Sequence, residues 1–167
     1  MPMYQETLVI LKPDALERNL IGAIIKYYED AGLEALDIKY YNKVGQGRLK
    51  EHYPDSMALG VGKKAQAAVP SITDPEAHGM KVLEKLRGYF GRGPMLVIRI
   101  GGEDAIKEVR RVTGYTDPAT AEKGTVRGDL GLDSIERSTA EGRAVENLVH
   151  ASGNPEEAEA ELRLWLP

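Results

Sequence analysis

Cysteine is absent from the 167 residues. That excludes disulfides, thiolate catalysis and cysteine-held zinc. Histidine is scarce: His52, His78 and His150 are the full set, scattered and without an HExxH spacing, so a zinc site has no basis. Long apolar runs are missing too, and no segment approaches the ~20 residues of a membrane span. Aromatics make up 6%, and no strand carries the clustered aromatics of an RNA-binding sheet. Positive charge is also short, with 22 basic residues against 26 acidic ones and a net charge of −4, so no nucleic-acid partner is expected. The opening "MPMYQETLVILKPDA" lacks a basic n-region and a small-residue cleavage site. It reads as a first strand, and a soluble cytoplasmic protein is the expectation.

What is present suits one domain over residues 1–167, with 42% hydrophobic and 29% charged residues. "ETLVILK" is a β-rich apolar run stopped by Pro13. In "LIGAIIKYYEDAGL", Ile21, Ile24, Ile25 and Tyr28 recur at helical spacing and Gly32 ends the helix. "EALDIKYYNKV" alternates as a strand, with Leu36, Ile38 and Tyr40 on one face, and "GRLKEHY" is a short helix. Residues 54–73 have weak periodicity, two glycines and two prolines, which predicts an irregular excursion with at most a helical turn. Asp74 and Pro75 are an N-cap and N1 pair for a helix buried through Met80, Leu83, Leu86 and Phe90. "PMLVIRI" is a strand, followed by a helix through Ala105, Ile106 and Val109. Residues 113 to about 143 read as a polar loop, "VENLVHAS" as the last strand, and "NPEEAEAELRLW" as a helix with an Asn154/Glu157 capping box. This order favours an α+β, ferredoxin-like split β-α-β sandwich, with helices packed on an antiparallel four-stranded sheet.

Some residues are costly unless they act. Lys12 ends an apolar strand, where it either snorkels or points into a site. Arg110, Thr116 and Arg127 share a segment with Gly114, Gly124 and Gly128. Forked donors, hydroxyls and glycines together suit phosphate, though the spacing is neither a Walker A loop nor GxGxxG. His150 is either a structural histidine or a neutral nucleophile near pH 7. Asn147, three residues earlier, would point to the opposite face of a regular strand, so the two share a site only if the chain bends between them. Glu161, in the final helix, is placed to orient the ring if that helix packs beside the strand.

"LVILKPDALERNLIGAII", "HY", "VRRVTGYTDP", "GTVRGD" and "NLVHAS…PEEAEAEL" stand in the order seen in nucleoside diphosphate kinases. The chain resembles that family over most of its length outside 54–92 and 130–145. The resemblance implies transfer of the γ-phosphate of a nucleoside triphosphate, typically ATP, to a nucleoside diphosphate. Transfer would be ping-pong, through a pros-phosphohistidine at His150. It implies Lys12, Tyr53, Arg110, Thr116 and Arg127 at the phosphates, Asn147 at the ribose, and Ser152 and Glu161 as support for the ring. Arg110 rather than Arg111 keeps the family's spacing to Thr116. Mg²⁺ is implied as cofactor, held mainly by the nucleotide phosphates. Nucleoside triphosphates such as ATP and GTP, together with nucleoside diphosphates, are implied as substrates, and a homo-oligomer built from dimers, a hexamer or tetramer, as the assembly.

The sequence departs from the family in five places. The base-stacking phenylalanine has no counterpart after Tyr53, which leaves Met57, Leu59 or Val61 as substitutes. Extensions fall near 54–73 and 130–145, Ala151 replaces a usual glycine, and Gly153 stands where an aspartate is frequent. A nucleotide-binding regulatory module with little turnover is the competing expectation.

Overall fold

The computed structural model describes residues 1–167, which cluster into two compact units. The first, residues 1–42 and 94–167, holds a four-stranded antiparallel sheet. Its strands are β1 (Tyr4–Leu11), β2 (Glu34–Tyr41), β3 (Met95–Glu103) and β4 (Val149–Ala151), in spatial order β2-β3-β1-β4. β3 separates β1 from β2, and β1 separates β3 from β4. That interleaving is the split β-α-β arrangement expected from the element order. The α+β, ferredoxin-like class therefore holds.

The centre of the sheet is buried on both faces. Leu8, Val9, Ile10 and Leu11 are all fully buried, and β3 presents Val97 and Ile98 equally deeply. Val9 pairs with Ile98 and Leu11 with Leu96, and these four face a core closed by α2 (Ile21–Asp30) and α6 (Ala105–Thr113). Ile24 and Tyr28 supply the α2 stripe; Val109 and Val112 supply that of α6. The final helix, labelled α9 below, spans Pro155–Trp165 and packs on β1. Trp165 is fully buried and meets Tyr41 edge-on at 5.4 Å, while the Tyr41 hydroxyl donates to the Trp165 carbonyl.

β2 lies at the sheet edge. Ile38 and Tyr40 pair with Ile98 and Leu96 on one face, but the register slips between Ala35 and Asp37, so Leu36 does not keep the expected alternation with them; the three are 41%, 48% and 55% exposed. Alternation in the sequence marks the strand without saying whether its apolar side is covered.

The second unit, residues 43–93, is helical: α3 (Gln46–His52), a 3-10 turn at Asp55–Met57, α4 (Ala58–Ala68) and α5 (Pro75–Gly91). The expected irregular excursion is thus mostly helix. Of the two glycines that weakened the pattern, Gly60 faces open space and Gly62 is a contact point with α5, where Gly79 answers it. A Cβ at Gly62 would lie 1.5 Å from the Pro75 carbonyl oxygen, and one at Gly79 would lie 1.8 Å from that of Ala58. Glycine lets the α4 and α5 backbones meet. Asp74 caps α5 as expected, its side chain accepting the Ala77 N–H at 3.0 Å.

The segment expected as one long loop also contains helices, α7 (Val126–Leu130) and α8 (Ile135–Ala140), each capped by a hydroxyl, Thr125 or Ser134. Such short capped turns have too few residues to show a helical period. α1 (Pro13–Glu17) is equally short. The Asn154 cap of α9 accepts from Glu157 N–H, but Glu157 reaches back to the Gly153 N–H, one residue earlier than a capping box requires.

Candidate functional site

Lys12 follows the last residue of β1, where Pro13 stops the strand and starts α1. It is 6% exposed, so it does not snorkel. Its Nζ donates to Asn147 Oδ1 at 2.6 Å, and Asn147 Nδ2 donates to the Thr116 carbonyl at 3.0 Å. Burial first, then the Arg127 charge, pull the Lys12 ammonium down to about 7, with Asp14 opposing them. A cation so easily stripped of its proton gains most from an added anion.

β4 is three residues long and pairs with the end of β1, His150 lying opposite Ile10. The His150 Nε2–H donates to Glu161 Oε2 from α9, with the side chains 20% and 13% exposed. α9 does pack beside the strand, so Glu161 reaches the ring. Burial, then Lys12 and Arg127, and more weakly Arg110, depress the histidine to about 3, against the pull of Glu157. The imidazole is therefore neutral at physiological pH. A neutral ring has one N–H; with that proton on Nε2 toward Glu161, Nδ1 carries the lone pair.

Arg127, on α7, closes the loops around these groups. Its Nε donates to the Asn147 carbonyl at 3.1 Å, Nη1 to that of Gly114 at 3.1 Å, and Nη2 to that of Val149 at 2.5 Å. Gly114 has a φ of +90°, and a Cβ there would lie 2.4 Å from Thr125 Oγ1, so glycine is required where the chain turns into the Thr116 loop.

The bend between Asn147 and His150 is Leu148, left-handed at a φ of +71°. It lets Asn147 reach Lys12 while His150 reaches Glu161. The Leu148 N–H donates to Asp14 Oδ2 at 3.1 Å across 134 positions of sequence. Nothing in local spacing singles out Asp14. Just upstream, Arg143 grips Asp133 with two nitrogens, at 2.5 and 2.9 Å, and Asp133 accepts the Glu146 N–H at 2.8 Å. The Arg143 fork and the Glu146 N–H hold the Asp133 carboxyl down at about 2. The 130–145 extension is thus tied off just before Asn147.

Lys12, Thr116, Arg127, Asn147, His150 and Glu161 are brought together. Arg110 is exposed in the last turn of α6, its Nη1 3.5 Å from where a Gly153 Cβ would stand. It lines a cavity of about 510 Å³ with Lys107, Gly153 and Asn154. Ser152 is buried, but its Oγ has no hydrogen-bond partner, so the ring is held by Glu161 and not by the serine. Tyr53 belongs to the second unit. Its ring stacks on Phe90 at 5.2 Å, and its carbonyl accepts from Arg87 Nε at 3.0 Å. Arg87 also grips Asp55 at 2.7 Å, which fixes the turn after Tyr53.

A family model described as nucleoside diphosphate kinase matches residues 5–63 and 75–167. A relative with that name from Pyrobaculum aerophilum is 37% identical over 96% of this chain and 94% of its own length. One from Clostridium perfringens is 34% identical over 98% of this chain and 92% of its own. Among solved structures, an NDP kinase from Pyrobaculum aerophilum superposes with a TM-score of 0.91 at 35% identity, covering 99% of this chain and 97% of that one. A Borrelia burgdorferi nucleoside-diphosphate kinase, a transition state mimic with bound vanadate and ADP, gives 0.83 at 29% identity, covering 98% and 88%.

Proposed function

The chain belongs to the nucleoside diphosphate kinase family of phosphotransferases, and on that premise we propose that the transferred phosphate passes through His150. The observation that carries this reading is the His150–Glu161 pair in a cationic, buried setting. A neutral imidazole with a fixed tautomer is nucleophilic without a separate base. In the first half-reaction Nδ1 forms a bond to the γ-phosphorus, the bond to the β-phosphate oxygen breaks, and the diphosphate leaves. In the second, a β-phosphate oxygen of another nucleoside diphosphate attacks the phosphohistidine and Nδ1 is restored. Lys12, Arg110 and Arg127 offset the charge on the moving phosphoryl group, and Thr116 and Tyr53 add hydroxyl donors at the phosphates. Asn147 holds the ribose, and Glu161 keeps the ring in register through both halves.

The donor set around His150 is cationic, and Gly153 offers no carboxylate where the family often has one. That fits a Mg²⁺ carried in on the nucleotide phosphates, whose charge it would neutralise when bound. Met57 and Leu59, 40% and 42% exposed, and the half-buried Val61 are the apolar candidates for the base surface. The exposed apolar side chains Leu36, Ile38 and Tyr40 on an edge strand support a homo-oligomer, since such edges are normally covered. No helix is long and apolar enough to cross a membrane, and we place the protein in the cytoplasm. The regulatory-module alternative is not favoured, because the full-length relatives carry the kinase name.

Phosphate exchange between ATP and a second nucleoside diphosphate tests the reading. Parallel double-reciprocal lines are expected, and His150→Asn should abolish exchange with the fold intact. Nucleotide binding without exchange would favour the regulatory module.

A further inference from the structure

Leu148 is buried at 1% exposure and left-handed at a φ of +71°, a conformation that residues with a side chain adopt only when their surroundings hold them there. Both its main-chain polar groups are taken up by one short stretch of chain. The Leu148 N–H donates to Asp14 Oδ2 at 3.1 Å, and its carbonyl accepts the Lys12 N–H at 2.8 Å. Asp14 is itself 6% exposed, an expensive place for a carboxyl group. Beyond Leu148, pairing with β1 begins at Val149. Before it, Asn147 turns inward to Lys12. A regular strand would send Asn147 and His150 to opposite faces; a left-handed residue between them removes that alternation. Arg127 holds the carbonyls on either side of the turn, but a carbonyl clasp leaves the buried Leu148 amide to be satisfied, and Asp14 satisfies it.

We propose that Asp14 is a positioning residue for phosphoryl transfer: by accepting the Leu148 N–H it holds the left-handed turn that sets Asn147 and His150 in one site. The inference rests on the reading of His150 as the phosphate acceptor. Asp14 acts through the backbone and touches no substrate. Losing it lets the histidine drift from its line of attack, while Lys12 and the Thr116 carbonyl still hold Asn147 and with it the nucleotide's sugar contact. Misplacement by about 1 Å costs roughly 100-fold in rate.

The test compares wild type, Asp14→Ala and Asp14→Asn, with His150→Asn as the control for labelling. Asparagine keeps an oxygen acceptor for Leu148 and removes the charge beside Lys12; alanine removes both. The rate of ³²P transfer from ATP to His150 at saturating nucleotide, KM, thermal unfolding and hydrogen exchange at the Leu148 amide are measured on each folded protein. Asp14→Ala should transfer about 100-fold more slowly with KM little changed and Leu148 exchange accelerated, and Asp14→Asn should recover most of the rate. A wild-type rate in Asp14→Ala overturns the proposal. So does a slow Asp14→Asn with a protected Leu148 amide, because charge and not the turn would then be what matters; this arm decides even if the alanine variant does not fold. If wild type takes no label at His150 and matches His150→Asn, the acceptor reading has failed first, a result distinct from the other two.

Discussion

Neutrality of His150 has a thermodynamic signature in acid. The group falls from an ordinary 6.5 to about 3 in the folded chain. Between those values the unfolded chain binds the proton more tightly, so stability drains away as pH falls from 6.5 toward 3. The contribution is whole above 6.5 and lost once pH passes the folded value. At pH 5 the unfolded histidine is almost fully protonated and the folded one is not. Linkage then gives a loss of about 2 kcal/mol relative to pH 8 from this side chain. His150→Gln removes the titration and keeps a polar group toward Glu161. Urea unfolding of both proteins at pH 8 and pH 5 isolates the term, because every other titrating group is shared. The stability of wild type minus variant should fall by about 2 kcal/mol on going to pH 5. An unchanged difference would mean that His150 is not held neutral by the fold. A difference that grows in favour of wild type would show that more sharply, since it is the sign of a histidinium paired with Glu161.

Glu161→Gln keeps a hydrogen-bonding group near the ring but no longer fixes the proton on Nε2. Transfer should slow roughly 10–100-fold with nucleotide KM little changed, measured by steady-state exchange. Asp133→Ala frees both the Arg143 fork and the Glu146 N–H, costing about 2 kcal/mol, which lowers Tm by roughly 4–8 °C in calorimetry. Gly62→Ala must force α4 from the Pro75 carbonyl; a loss of about 1–3 kcal/mol is expected by urea titration, and a neutral result would show that the helices part easily.

The strands and long helices were legible because their signals are local. "ETLVILK" is apolar enough to be a central strand, and Asp74-Pro75 is a cap whose partner lies three residues away. α4 was not legible, because Gly60 and Gly62 count against a helix in sequence while the use of Gly62, a backbone contact with α5, lies in another segment. β2 itself was readable, but neither its register slip at Leu36 nor its exposure was. For the site, chemistry outran geometry. Lys12 and His150 stood out as expensive residues, yet spacing alone put Asn147 and His150 on opposite faces. Leu148 resolves that conflict with a backbone angle that leucine does not advertise. Asp14, its partner, is 134 positions away, beyond any periodicity.

The most direct test of the account is the site of phosphorylation. The protein is incubated with ATP and Mg²⁺, freed of nucleotide, and examined by ³¹P NMR and by peptide mass spectrometry before and after addition of a nucleoside diphosphate. An acid-labile, base-stable phosphate on Nδ1 of His150 is expected, and the diphosphate should discharge it. A phosphate on Nε2, on another residue, or on none while the protein remains folded, would contradict this expectation.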